Sequence, residues 1–363
     1  MAPLPAIPRP VKRTIRQTVS RFRMLQQNDR VLIAVSGGPD SVALARILLD
    51  MQEEYSLTLG LAHLNHLLRE EESKRDERFV KQFAQTMNLP LFSDRQDTKT
   101  HAKKNRLSIE TAGRDLRYAF FKKIAQSHGY AKVATGHTGD DNAELVLMNL
   151  LRGSGTRGLS GIPPVREGCY IRPMIELTKV QVYDLLKEMN QSFIIDSSNA
   201  DSAYLRNRVR NRLIPLLQSE YNPEIADALN RMSNVLRQED DFLDIRTQSD
   251  FDQCLLNRKK NSLVLSKKKL SRLHPAVLRR VLRRAIQDIQ TNLNRISLVH
   301  LENIIDFCFQ RNSGTSLDLP NRIRIYKTVN HIEIKREKQS LREMGRREKQ
   351  LKQQQSNLQG KDG

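Results

Sequence analysis

Two serines, two glycines, a proline and an aspartate stand together in SGGPDS (36–41), between an apolar run at 31–35 and a helical pattern. Gly37 and Gly38 can adopt positive φ and let backbone N–H groups approach an anion with no Cβ in the way. The helix that follows adds its dipole and its unpaired N–H groups. Pro39 near the helix start forfeits no needed hydrogen bond. Ser36 and Ser41 offer hydroxyls to phosphate oxygens. Asp40 would repel a phosphate unless a Mg²⁺ lies between them. A serine cap on a glycine turn would account for Ser36 and one glycine, but not for the whole string. Neither GxxxxGK[ST] nor GxGxxG occurs, so this is no Walker loop and no dinucleotide fingerprint.

A second cluster, ATGHTGDDNAE (134–144), delivers Gly136 and His137 from a strand and then Asp140, Asp141 and Glu144 on the first turns of a helix. Acids there suit the helix dipole. Three so close also repel one another, which a cation would relieve. His137 is a candidate for phosphate contact or proton transfer. The glycine-rich RGSGTRGLSG (152–161) follows. In ETAGRDLRY (110–118), Arg114 and Arg117 share a helix face. They could neutralise departing pyrophosphate, although Glu110 could equally pair with Arg114 at i,i+4. His63 and His66 in HLNHLLR (63–69) are too few for a metal site and read as a polar strand end. In YLRNRVRNR (204–212), Arg206 and Arg210 align, as do Arg208 and Arg212, with no acid among them. Such a face suits an RNA backbone or docking against acids elsewhere in the chain.

The elements that must hold these groups alternate. Strand-like runs at 31–35, 57–64, 89–92 and 131–135 are interleaved with helical patterns at 40–54, 72–88, 109–128 and 140–151. That order predicts an α/β fold with a parallel sheet covered by helices, whose ligands bind at the carboxyl ends of the strands. SGGPDS, HLNHLLR, ETAGRDLRY and ATGHTGDDNAE all follow strand ends or open the next helix. Past about residue 217 helical patterns dominate, with short strands near 316–336. A smaller, mainly helical domain is expected over 218–336, and a Gln/Lys/Arg-biased, disordered tail over 337–363.

Composition narrows the partners. The 363 residues carry a formal charge of +20, which favours a polyanion such as nucleic acid. Cys169, Cys254 and Cys308 are scattered and form no CxxC, so neither a disulfide framework nor a zinc or iron–sulfur site is expected. No apolar run approaches a membrane span, and a cytoplasmic protein is the expectation.

Taken in order, SGGPDS, HLNHLLR, ETAGRDLRY, ATGHTGDDNAE, RGSGTRGLSGI and DSSNADSAYLRNRVR resemble the tRNA(Ile)-lysidine synthetase family over roughly residues 25–217, and LDLPNRIRIYK (317–327) resembles its substrate-binding region more loosely. The resemblance implies a PP-loop domain (adenine nucleotide α-hydrolase-like, Rossmann-like) over 1–217. It implies an enzyme that takes ATP, Mg²⁺, free L-lysine and the isoleucine tRNA with a CAU anticodon. The wobble cytidine is adenylated on the oxygen of carbon 2, lysine displaces AMP, and lysidine results; codon and amino-acid identity pass from methionine to isoleucine. By the same resemblance Ser36, Gly37, Gly38, Pro39, Asp40, Ser41, Arg114 and Gly136 bind ATP, and Asp40 and Asp141 hold the metal. Asp40, His137, Asp141, Glu144 and Arg117 serve catalysis. Arg206, Arg208, Arg210 and Arg212 meet tRNA, and a homodimer is implied. The rival within the superfamily is a tRNA cytidine thiolase, which the scattered cysteines disfavour.

Departures from the family pattern are few. Asn142 and Leu145 replace Gln and Thr, and Gly113 replaces Ala; all three read as helix-surface or close-packing changes. The tail is short, so its Lys/Arg excess is expected to supply tRNA contacts. Deleting 337–363 should weaken tRNA binding in a filter assay; unchanged affinity refutes that role.

Overall fold

In a computed structural model, the described residues are 7–68, 70–195, 205–290 and 295–339. Arg69, the DSSN string with Asp201, Ser202 and Tyr204, and the tail from 340 onward lie outside them. The chain forms two compact units, Met1–Arg237 and Gln238–Gly363.

The first unit runs α1 (Arg9–Arg21), β1 (Arg30–Ala34), α2 (Pro39–Asp50), α3 (Gln52–Tyr55), β2 (Thr58–Asn65), α4 (Glu70–Thr86), β3 (Leu91–Arg95), α5 (Thr98–Asn105) and α6 (Ile109–His128). It continues with β4 (Lys132–Ala134), α7 (Gly139–Leu151), α8 (Thr156–Leu159), β5 (Val165–Arg166), β6 (Tyr170–Ile171), α9 (Lys179–Glu188), α10 (Leu205–Arg208) and α11 (Ile214–Glu220). The six-stranded sheet has the order β3-β2-β1-β4-β6-β5. All pairings are parallel except β5 with β6. The chain steps outward from β1 to β3, then returns to β4 on the other side of β1. The crevice between the ends of β1 and β4 is therefore a topological switch point. It lies where the SGGPDS loop and the His137 segment emerge.

Both faces of this sheet are covered, so its strands read as apolar runs. Val31 and Ile33 face a core built with α1, α2 and α9, while Leu32 faces the core of α6 with Phe120 and Phe121. Helix ends follow local chemistry: the Ser108 hydroxyl caps α6 by accepting from Thr111 N–H, and Gly129 closes that helix in the left-handed region at φ 68°.

Between α10 and α11 the backbone widens into a π-turn, Val209–Leu213. Ile214 N–H bonds the carbonyl of Val209. Pro215, just inside α11, has no N–H to continue the regular ladder. The first unit extends past residue 217 because α10, α11 and the start of α12 (Ile225–Cys254) bury Val209 and Leu229 against Ala143, Val146, Leu147 and Met148 of α7.

The second unit adds an antiparallel sheet to the helices expected there. β7 (Leu255–Lys259), β8 (Ser262–Ser266), β9 (Ser316–Leu319), β10 (Ile323–Lys327) and β11 (His331–Arg336) are arranged β7-β8-β11-β10-β9. α13 (Lys267–Leu270), α14 (Pro275–Gln290) and α15 (Leu298–Gln310) complete the unit. Its core joins Phe251, Leu282 and Phe307 to Ile325 and Ile334. The buried Lys327 ammonium donates to the carbonyls of Phe307 and Arg311 at the end of α15, where a cation complements the helix dipole.

Ile33 is fully buried in the strand that carries the loop. Ile33→Ala should destabilise the protein by about 2–5 kcal/mol through lost burial and an unfilled cavity, read from urea unfolding.

Candidate active site

β1 ends in a loop that bonds to itself. Ser41 Oγ accepts from Ser36 N–H at 3.1 Å and donates to the Gly38 carbonyl at 2.9 Å. Gly38 N–H reaches Ser36 Oγ at 3.4 Å. Gly37 has φ +93°, a conformation that favours glycine, and its carbonyl accepts from Ile194 N–H at 2.9 Å. Pro39 opens α2, as expected. Across the switch point, a Cβ on Gly136 would lie 2.8 Å from the Asp40 carbonyl oxygen. Only glycine lets the end of β4 press against the first turn of α2.

That contact brings Asp40 beside the acids of α7. Thr138 caps α7 in a reciprocal box: its N–H and hydroxyl donate to Asp141 Oδ2, and Asp141 N–H donates back to Thr138 Oγ1. Asp141 and Glu144 are 6% and 1% exposed. Two such carboxylates need cations. Arg206 Nε donates to Glu144 at 2.8 Å and its Nη2 to Asp141 at 3.0 Å. Arg210 Nε donates to Glu144 at 2.5 Å and its Nη2 to Asp141 at 3.2 Å. Lys179 Nζ stands 3.4 Å from Glu144 and 3.6 Å from Asp141. Lys179 N–H also donates to Asp140 Oδ2 at 2.7 Å.

The titrations diverge accordingly. Burial pushes the Asp141 and Glu144 carboxyls up, but the surrounding cations outweigh it: Lys179 and Arg206 around Asp141, and the Arg210 hydrogen bond, Lys179 and Arg206 around Glu144. Both end below the usual range. Asp40 is raised to about 6, first by burial and then by the Asp141 charge. Its Oδ1 is buried with no hydrogen-bond partner among the described residues. His137 is lowered to about 4 by burial, helped by Arg172, Arg206 and Arg117. Its imidazole is thus neutral at pH 7, and Thr135 Oγ1 lies 3.1 Å from its Nδ1.

Of the two partners open to the basic face, an RNA backbone or acids elsewhere in the chain, Arg206 and Arg210 meet the second: both pair with Asp141 and Glu144. Arg208 and Arg212 are exposed and make no ion pair among the described residues. Arg117 exerts its charge on both His137 and His66. Arg114 is exposed, 5.6 Å from the Tyr118 ring centroid. Lys179 was not among the expected site residues. Its signal was faint: a Thr-Lys pair opening a helix, with Thr178 as the cap.

A PP-loop domain family matches residues 9–217, and a TilS substrate binding domain matches 265–329. The tRNA(Ile)-lysidine synthase of Clostridium tetani is 35% identical over 318 residues, 87% of this chain and 67% of its own length. That of Geobacter sulfurreducens is 38% identical over 327 residues, 90% of this chain and 69% of its own. The chain belongs to the tRNA(Ile)-lysidine synthase family. Among solved structures, the U34-tRNA thiolase NcsA of Methanococcus maripaludis aligns with a TM-score of 0.52 at 18% identity, over 63% of this chain and 78% of that one. That likeness shows the fold alone.

Family membership brings ATP use, and the donors can be tested against a divalent cation. Asp40 fits, with a buried, unpartnered oxygen beside the loop. Asp141, the other expected ligand, already has Oδ1 engaged by Arg206 and Arg210 and Oδ2 by Thr138. Among the described residues no three His, Cys, Asp or Glu side chains are grouped to hold a metal by themselves. An octahedral Mg²⁺ that draws most of its ligands from phosphates and water needs no such group.

Asp40 also sets a pH test. Its folded pKa, about 6, lies above the ordinary 3.8, so the ionised form opposes folding. The group favours folding fully below pH 4, and that contribution is lost as pH rises through 6. Without divalent cations, Asp40→Asn should stabilise the protein at pH 8 by up to about 3 kcal/mol, at 1.36 kcal/mol per unit. Below pH 4 the gain should vanish. Urea unfolding at the two pH values decides it.

Proposed function

We propose that this enzyme forms lysidine at the wobble cytidine of the CAU-anticodon isoleucine tRNA. In this reading the cytidine O2 attacks the α-phosphorus of ATP and pyrophosphate departs. The lysine ε-ammonium gives up a proton to a carboxylate of the site, the free amine adds to carbon 2, and AMP leaves with the original oxygen. Ser36, Gly37, Gly38 and Ser41 cradle the phosphates through backbone N–H groups and hydroxyls. Asp40 holds Mg²⁺, which when bound neutralises phosphate charge. Asp141, named at the outset as a metal ligand, acts with Glu144 to seat the incoming ammonium. His137, neutral at working pH, offers a hydrogen bond to the phosphates without adding charge. Arg117 supports departing pyrophosphate.

One observation carries the lysine assignment. The Asp141–Glu144 pair already receives a primary alkylammonium, that of Lys179, at 3.4–3.6 Å. Free lysine brings the same group. The exposed cations Arg208 and Arg212 are left for the tRNA backbone. A cytoplasmic homodimer belongs to the same reading, and no helix among the described residues is long and apolar enough to cross a membrane.

The test supplies ATP, Mg²⁺, labelled lysine and an unmodified CAU isoleucine-tRNA transcript, with a wobble-uridine variant as control. Stable lysine incorporation into the first RNA only, with AMP released, is the expected result. AMP release without incorporation would reject lysine as the nucleophile. Glu144→Gln should raise KM for lysine roughly tenfold to a hundredfold, the worth of a charged hydrogen bond, and leave KM for ATP nearly unchanged.

A further inference from the structure

Between Asp141 and Glu144 on α7 stands Asn142, 3% exposed and turned away from the acids' cations. Its amide makes three hydrogen bonds. Nδ2 donates to Asn230 Oδ1 at 2.8 Å and to Ser233 Oγ at 2.9 Å, both on α12. Oδ1 accepts from Ile162 N–H at 2.6 Å, at the exit of the glycine-rich loop. Two glycines make room for it. A Cβ on Gly161, which has φ +69°, would lie 2.1 Å from Asn142 Oδ1, and a Cβ on Gly139 would lie 3.0 Å from Asn230 Nδ2. Arg237, also on α12, donates to the carbonyls of Ser160 and Ile162 at 2.7 and 3.1 Å. The side chain read from sequence as a surface or close-packing change is thus a three-way junction.

We infer that Asn142 is a positioning residue: with Asn230, Gly139 and Gly161 it locks the register of α7 against α12 and the glycine-rich loop, and so fixes Asp141 and Glu144 for the reaction. The argument is geometric. A buried amide with every near partner satisfied holds its helix more specifically than apolar packing does. Rotation of α7 that misplaced Glu144 would break these bonds at once. The apolar contacts of Val146 and Leu147 could slide to accommodate the same motion. Asn142 touches neither nucleotide loop nor acids, so its effect must pass through α7.

The experiment uses the full chain and lysidine formation, with the unmodified enzyme's activity as the control for the proposed reaction. Asn142→Ala should lower kcat by up to about a hundredfold, the size of loss that an ångström of misplacement can bring. KM for ATP should stay within about twofold, and circular dichroism should report a folded protein at the assay temperature. Asn142→Gln, which keeps the amide, should recover much of the rate. Gly161→Ala should be harmful beside Asn142 and markedly less so in the Asn142→Ala background, because the clash partner is gone; the left-handed strain is common to both and cancels in the cycle. A lowered melting temperature with unchanged kcat per folded molecule would reduce Asn142 to a stability element and overturn the inference. Additive effects of the Gly161 and Asn142 changes would also overturn it. If the unmodified enzyme forms no lysidine, the proposed reaction fails, and the same variants are then compared by ATP-dependent AMP release.

Discussion

Two carboxylates nearly closed to water, Asp141 and Glu144, set the terms for everything around them. Ionised and unpaired they would oppose folding by several kcal/mol each. The chain answers with Lys179 from the start of α9 and with Arg206 and Arg210 from the segment beyond residue 204. Two stretches distant from α7 in sequence are thereby drawn to one of its faces. The π-turn at Val209–Leu213 and the apolar contacts of Val209, Leu213 and Ile214 with α7 hold that cationic segment in place. Removing one cation leaves the acids partly compensated by the others.

The sheet supplies the other half of the design. Because β4 returns beside β1, the loop after β1 and the segment after β4 must meet, and Gly136 lets them meet backbone to backbone at the Asp40 carbonyl. A single contact therefore fixes the distance between the phosphate cradle and the acid-bearing helix. Asp40 sits at the join, feeling the Asp141 charge on one side and the loop on the other. Its Oδ1 is buried with no hydrogen-bond partner among the described residues.

Much of this was legible in the residues. The β1 and β4 runs, the SGGPDS turn and the Asp-Asp-Glu helix start are local patterns, and periodicity reads local patterns well. What escaped was tertiary. Arg206 and Arg210 carry no acid among their neighbours, so their spacing left open an outside polyanion or acids elsewhere in the chain; their partners lie on α7, far upstream in sequence. Lys179 is one lysine among many, distinguished only by where α9 begins. Asn142 looked like a mild substitution because an amide on a helix has no periodic signature. Only its neighbours, Gly161 and Asn230, give it meaning. The extension of the first unit beyond residue 217 has the same cause: apolar residues of α10, α11 and α12 that read as an independent helical segment find their partner face on α7.

The titration pattern divides the labour among groups of similar type. Asp40, short of cations, is held high and is receptive to a proton or a metal; Asp141 and Glu144, rich in cations, are held low and remain anionic across the working range. His137, buried among arginines, stays neutral. In the proposed reaction, a site that must first stabilise negative phosphates and then receive a positively charged amine needs such a split. A uniformly acidic site would repel ATP, and a uniformly basic one would repel the ammonium. On that reading the chain meets both demands by setting the proposed anion cradle on one strand end and the compensated acids after the next, separated by the width of a glycine.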